Sequence, residues 1–228
     1  GLPFASQVRG MSHACGHDIH TAALLGCAKL LLQHRKELRG DVLLVFQCGE
    51  ETFDGAASML EQGLFQSDCP EAVVGFHCEP SLPVGTVGVR VGIDNASCDS
   101  LRLEVEGRGG HGAHPEACVD PVVISAGLIV QLQTLVSRYN APQDPVVLTF
   151  GEIHGGTAPN VIPDTVTIRG TLRTLDRQVR KRQLEALQKV APAFCQAMGG
   201  SCTVPIDKEV PPLINTPDLC RQLERTVE

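Results

Sequence analysis

Two uninterrupted apolar runs, Val42–Phe46 and Ala72–Phe76, constrain this chain more than any other feature. A run without polar alternation suits a strand covered on both faces, as in parallel sheets. Between them, Gly55–Gln62 carries a short helical pattern. Strand, helix and strand within about 35 residues make a βαβ unit, whose crossover makes the two strands parallel. Ahead of the first run, Asp18 is placed to cap a helix over Ile19–Gln33. The apolar residues of that segment wrap most of its circumference, which predicts a well-buried helix.

The period changes after Gly92. Leu101, Leu103 and Val105 alternate with Arg102, Glu104 and Glu106, the pattern of a strand with one solvated face. A helix is predicted over Val122–Arg138, then strands over Val146–Ile153 and Val161–Leu172, joined across Gly155-Gly156. A helix over Leu175–Met198, kinked or divided at Pro192, and a strand over Ser201–Ile206 follow. The order βαββαβ is the split βαβ, ferredoxin-like arrangement, with four antiparallel strands and two helices on one face. Asn215–Glu228 opens another helix, with Thr216 as cap and Pro217 in its first position. The chain is therefore read as an α/β protein. Residues 1–95 and 208–228 supply part of a mostly parallel-sheet domain, and residues 96–207 form a ferredoxin-like insertion.

That placement gathers chemistry at one rim. Glu50 and Glu51 fall just past the carboxyl end of the first predicted strand, and His77 ends the second; open α/β sheets bind ligands there. Cys15 and His17 lie two apart, so in extended backbone both project to the same side. Taken singly, each has an ordinary reading: a buried Cys beside a surface His, a solvated carboxylate pair opening a helix, a strand-end imidazole bonded to backbone. Taken together, thiolate, imidazole and carboxylate suit a borderline-soft divalent transition metal. Of two adjacent carboxylates, one can bind the ion while the other takes a proton from water. His13 and His20 flank the group, and a part in supporting the ligands fits them better than ligation. Gly107–Pro115 is rich in glycine but lacks the ending of a phosphate-binding loop; what it presents instead is His111 and His114. Gly155–Asn160 reads as a second flexible loop or a hairpin turn.

Bulk properties exclude some classes. A net charge of −7 with scattered Lys and Arg gives no basic stripe for nucleic acid. No apolar run reaches the ~18 residues of a membrane span. Ten cysteines occur without a CxxC, and Cys27, Cys195 and Cys220 sit in apolar helical patterns. Reduced thiols and a cytoplasmic setting follow. Gly1–Gly10 reads as a loop entered in mid-course with no signal peptide, so the chain is expected to lack both ends.

Six ordered motifs carry a resemblance. They are Cys15-Gly16-His17-Asp18-Ile19-His20-Thr21, Phe46-Gln47-x-x-Glu50-Glu51, Gly75-x-His77, Gly109-Gly110-His111-Gly112-Ala113-x-Pro115, Asn160-Val161-Ile162-Pro163 and Gly170-Thr171-Leu172-Arg173. Across essentially its whole length the chain resembles the aminoacylase/carboxypeptidase-like metallopeptidase family. The branch it is most similar to includes hippurate hydrolase and the plant auxin–amino acid conjugate hydrolases. The resemblance implies an α/β catalytic domain with two divalent ions (zinc, manganese, nickel or cobalt) and a lid domain that makes a homodimer. It implies Cys15, His17, Glu51 and His77 as metal ligands, with a fifth, a histidine, beyond Glu228. It further implies Glu50 as general base, His111 as the group polarising the scissile carbonyl, and Asn160 and Arg173 as substrate contacts. The implied reaction is hydrolysis of the amide bond in a small N-acyl amino acid or amino acid conjugate. A dipeptidase or carboxypeptidase of the same family, or a non-catalytic dimerisation module, are the alternatives. Cys48-Gly49 stand where the family usually has Pro-Ala after Gln47, which leaves selectivity open.

Overall fold

The structure is a computed structural model that describes residues 2–227. It divides into two compact units, one running through Val89 and the other spanning Arg90–Thr226.

In the second unit the alternation of Leu101, Leu103 and Val105 does what the period of a strand demands. Strands β1 (Gly92–Asn95) and β2 (Cys98–Glu106) open it, and along β2 buried and half-buried positions alternate, with Asp99 on the buried face beside the three aliphatic residues. A short strand β3 (Gly110–His111) leads to the helix set here as α3, Pro121–Ser137. Strands β4 (Val146–Gly155), β5 (Val161–Ile162) and β6 (Thr165–Thr174) follow. Then come the helix α4 (Arg177–Ala197), strands β7 (Ser201–Thr203), β8 (Ile206–Val210) and β9 (Leu213–Asn215), and a last helix α5 (Pro217–Val227). The sheet order is β4-β6-β2-β7, with β8 also on β2, and every pairing is antiparallel. The sequence β2-α3-β4-β6-α4-β7 thus follows the βαββαβ order. The run expected as one strand over Val161–Leu172 is broken into β5 and β6, because Pro163 has no N–H to give a ladder. Pro192 does not divide α4, which runs through it.

Both long helices begin at an aspartate. Asp120 accepts hydrogen bonds from the Val122 and Val123 amides, and Asp176 accepts them from Gln178 and Val179, meeting donors that a first turn leaves unpaired. Ile124, Leu128, Leu132 and Leu135 of α3 recur at helical spacing, as do Leu184, Leu187, Ala191 and Cys195 of α4. They close over Leu101, Leu103, Val105, Leu148, Val166, Ile168 and Leu172 from the sheet to form one apolar core. Asp99 enters that core as an ion: Arg180 donates to both its oxygens and also reaches Glu209, and this fork-to-carboxylate geometry is what keeps a buried charge tolerable.

The first unit departs from expectation. It holds the helices α1 (His17–Gln33) and α2 (Gly55–Glu61). Neither Val42–Phe46 nor Ala72–Phe76 enters a ladder among the described residues, and every ladder there is antiparallel. The expected parallel pair is therefore replaced by two segments without regular structure among the described residues, and Val73 and Val74 are 70% and 73% exposed. Apolar composition sets where a strand can form, but a strand exists only where a neighbour takes its N–H and C=O groups. Helix α1 is likewise not buried, for none of its residues is covered fully. Its N-cap is Gly16, not Asp18, which lies in the first turn. Among the described residues no helix is long and apolar enough to cross a membrane, and the ten cysteines are free thiols.

Leu128→Ala should destabilise the second unit by about 2–5 kcal/mol, the usual cost of emptying a fully buried leucine site; urea unfolding followed by circular dichroism measures it.

Candidate metal centre

Three segments far apart in sequence meet in the first unit. The first is the turn into α1. Gly16 adopts a left-handed conformation (φ 73°), and its carbonyl accepts the Ile19 and His20 amides. This turn sets Cys15 just before the helix and His17 as its first residue. The second is the turn after the first apolar run, which carries Glu50 and Glu51. The third is the segment that ends in His77 and Cys78.

Cys15 Sγ lies 3.4 Å from His77 Nε2. The other nitrogen of that ring, Nδ1, lies 2.7 Å from the Cys78 carbonyl. A carbonyl can only accept, so Nδ1 carries the proton and Nε2 offers its lone pair towards the thiol. A histidine ligand is commonly held in this way, by its second nitrogen. His17 Nε2 is 3.3 Å from Glu50 and 3.7 Å from Glu51, and its ring stands edge-on to His77 at 6.3 Å. Three groups of donor atoms result among the described residues, each within 4.8 Å: Cys15–His17–His77 and His17–Glu50–Glu51, which share His17, and His20–His77–Cys78, which shares His77 with the first. The side chains of Glu50 and Glu51 are 50% and 69% exposed, so the group is open to solvent and to a ligand.

The surroundings of Cys15 disfavour its thiolate. Desolvation, followed by the fields of Glu51 and Glu50, raises the Cys15 thiol above its ordinary pKa. A divalent ion would reverse that balance, because a coordinated thiol gives up its proton. Sulfur, imidazole and carboxylate at such separations fit zinc or a neighbouring transition metal, and do not fit magnesium or calcium, which take oxygen. His20, beside this group, has its pKa lowered by desolvation and then by His77 and His17.

The remaining residues singled out in the sequence lie in the second unit. His111 is in β3, which pairs with β5 through Val161, and its Nδ1 accepts the Ala113 amide at 3.1 Å. Asn160 precedes β5, and its carbonyl accepts the Gly112 amide at 2.8 Å, so these two positions are neighbours. Arg173 is not with them. It is exposed near the far end of β6, opposite Val147, about 26 Å along the strand from Thr165 at ~3.3 Å per residue. Sequence reasoning missed Cys78, whose amide is bound by His20 Nε2 at 3.0 Å. Its only signal was its place next to His77.

With this geometry in hand, comparisons with known proteins decide the family. All of residues 1–228 match the model of peptidase family M20/M25/M40. An N-acetyl-L-cysteine deacetylase of Bacillus subtilis is 44% identical over 215 residues, 94% of this chain and 51% of the relative. An IAA-amino acid hydrolase of Arabidopsis thaliana is 38% identical over 224 residues, 97% of this chain and 51% of the relative. Among solved structures, a dinuclear metal-binding peptidase of Bacillus subtilis superposes with a TM-score of 0.78 at 33% identity, covering 99% of this chain and 57% of that one. The chain belongs to peptidase family M20/M25/M40. It spans about half the length of the curated relatives it matches.

Gly16 admits a sharp test of the turn. A Cβ there would run into Cys78 Sγ, on backbone at φ +73°. Gly16→Ala is expected to cost about 1–2 kcal/mol for the left-handed conformation alone and more for the displaced thiol, read as a lowered urea midpoint.

Proposed function

We propose that this chain carries most of the metal centre of a divalent-metal-dependent amidohydrolase acting on N-acyl amino acids or amino acid conjugates. The observation that carries the reading is the meeting of Cys15, His17, Glu50, Glu51 and His77 from three remote segments. Cys15, His17, Glu51 and His77 would hold the ions, two in number and drawn from zinc, manganese, nickel or cobalt. Bound there, the ions would supply Lewis acidity, lowering the pKa of water and polarising the amide carbonyl.

The chain's own residues account for the proton traffic. Glu50 and Glu51 both stand beside His17; of the two, Glu50 is assigned as the base, its half-exposed carboxylate taking a proton from water and passing it to the departing amine. His111, with Nδ1 used as an acceptor, carries its proton on Nε2 and can donate to the oxygen of a carbonyl as negative charge develops. Asn160, beside His111, is assigned to the substrate; Arg173, whose planar fork could pair with a carboxylate, is assigned to it as well but from a place apart from those two. Residues 1–95 and 208–228 are assigned to the catalytic domain and residues 96–207 to the lid. The hydrolytic reading draws support from the relatives, which are named for deacetylation of N-acetylcysteine and hydrolysis of an auxin–amino acid conjugate.

A homodimer through the second unit belongs to the same proposal. The outward side of α3 leaves Val123 and Val130 58% and 71% exposed, and β4 is an edge strand. Apolar exposure and an open edge together favour a second copy.

Glu50→Gln in the full-length enzyme should lower turnover of an N-acyl amino acid by about 10²–10⁴ while leaving the metal content by elemental analysis unchanged. Near-full turnover would remove the role, and no stoichiometric metal in the parent protein would leave only a scaffold. A panel of N-acetyl and benzoyl amino acids against dipeptides should favour the former; preference for dipeptides would make the enzyme a dipeptidase. Val130→Glu is expected to shift the sedimentation coefficient from dimer to monomer, and an unchanged value would place the interface elsewhere.

A further inference from the structure

One imidazole at the metal centre is turned to another task. His20 lies one turn along α1 from His17, and its Nε2 accepts the Cys78 amide at 3.0 Å. A ring nitrogen that accepts an N–H has its lone pair engaged and is not free to bind an ion. The same Cys78 presents its carbonyl to His77 Nδ1 at 2.7 Å. Cys78 is thus held at both its backbone polar groups, by one imidazole at the N–H and another at the C=O. The rings stack into a block: His20 lies 4.4 Å from His77, tilted by 57°, and meets Phe76 edge-on at 5.8 Å. On the other side, Cys78 Sγ packs against the turn at Gly16 and reaches the Cys15 carbonyl.

We propose that His20 is a positioning residue for His77: by fixing the Cys78 amide it fixes the carbonyl that aims His77 Nε2 at Cys15. The chain of contacts runs from His20 through the Cys78 backbone to the His77 ring and ends 3.4 Å from the Cys15 thiol. Residues 72–76 lie in no ladder among the described residues, so besides the contacts of Cys78 Sγ with Gly16 and Cys15 it is the His20 contact that engages the backbone N–H next to His77. A segment without sheet partners would otherwise let the His77 ring swing, and the ordering cost would fall on metal binding. His20 supplies locally what a neighbouring strand supplies in a sheet. The inference rests on Cys15 and His77 being metal ligands, so its test must separate the two.

The measurement is zinc affinity of the full-length protein by competition with a chelator, for wild type, His20→Ala, His20→Gln and Cys15→Ala. Gln offers an amide oxygen that can accept the Cys78 N–H, whereas Ala offers nothing. His20→Ala is expected to weaken zinc binding about 10–100-fold, the usual loss when support of a ligand is removed, with the same number of ions bound at saturation. His20→Gln should restore most of that affinity, and its cobalt-loaded form should match the wild-type spectrum. Wild-type affinity in His20→Ala, alongside weakened binding in Cys15→Ala, overturns the positioning role alone. Unchanged affinity in Cys15→Ala overturns the metal-ligand reading and this inference with it. Loss of one bound ion in His20→Gln makes His20 a ligand and also overturns the proposal. Should His20→Ala fail to fold, two-bond proton–nitrogen NMR of the wild-type histidines decides. His20 is expected to keep its proton on Nδ1 with and without zinc, and a zinc-induced shift at its Nε2 of the size seen for His77 would defeat it.

Discussion

Backbone hydrogen bonding governs this molecule: an extended segment is stable where something accepts its N–H groups and donates to its carbonyls, and exposed where nothing does. In the second unit the requirement is met. Strand β2 has β6 on one side and β7 and β8 on the other, and that central position lets its alternating side chains lie under α3 and α4. Leu101, Leu103 and Val105 are buried because the ladder fixes which face they take. The first unit has the same apolar raw material in Val42–Phe46 and Ala72–Phe76 but no ladder, and its order is carried by a left-handed glycine, two helices and side-chain contacts.

The metal centre shows what such contacts achieve. Its donors come from a helix start, a turn and the end of an apolar run. A helix start is a rigid mount, and Cys15 and His17 inherit its precision from Gly16. The His77 segment has no such mount in the backbone, and the link through Cys78 and His20 takes its place. Desolvation and the nearby Glu51 and Glu50 disfavour the Cys15 thiolate, and the mixture of sulfur, imidazole and carboxylate donors suits a cation that would favour it.

Much of this was legible in the sequence, for identifiable reasons. Alternation at Leu101–Glu106 and the heptad-like spacing of Ile124, Leu128, Leu132 and Leu135 are periodic signals that a core enforces, so the βαββαβ order could be read directly. The convergence of Cys15, His17, Glu50, Glu51 and His77 was readable because Cys15 and His17 open a helix while Glu50, Glu51 and His77 follow the two apolar runs. Other features depend on contacts that composition does not encode. Asp18 looked like a cap, yet the conformational freedom of Gly16 moved the helix start ahead of it. The apolar wrap of α1 and the two five-residue runs were read as burial, but burial requires a covering surface. Cys78 was invisible, because what matters is its backbone, held by an imidazole 58 positions earlier.

The two unpaired runs also bear on how such a polypeptide behaves in a test tube. Val42-Leu43-Leu44-Val45-Phe46 is β-prone and uncharged, with Val42, Leu43 and Phe46 each more than 40% exposed. A stretch of that composition with vacant backbone donors and acceptors is a template for stacking copies of itself. Concentrating these 228 residues by themselves therefore pits native order against fibril-like association, and charged gatekeeper substitutions at Leu43 are the natural remedy for anyone purifying them.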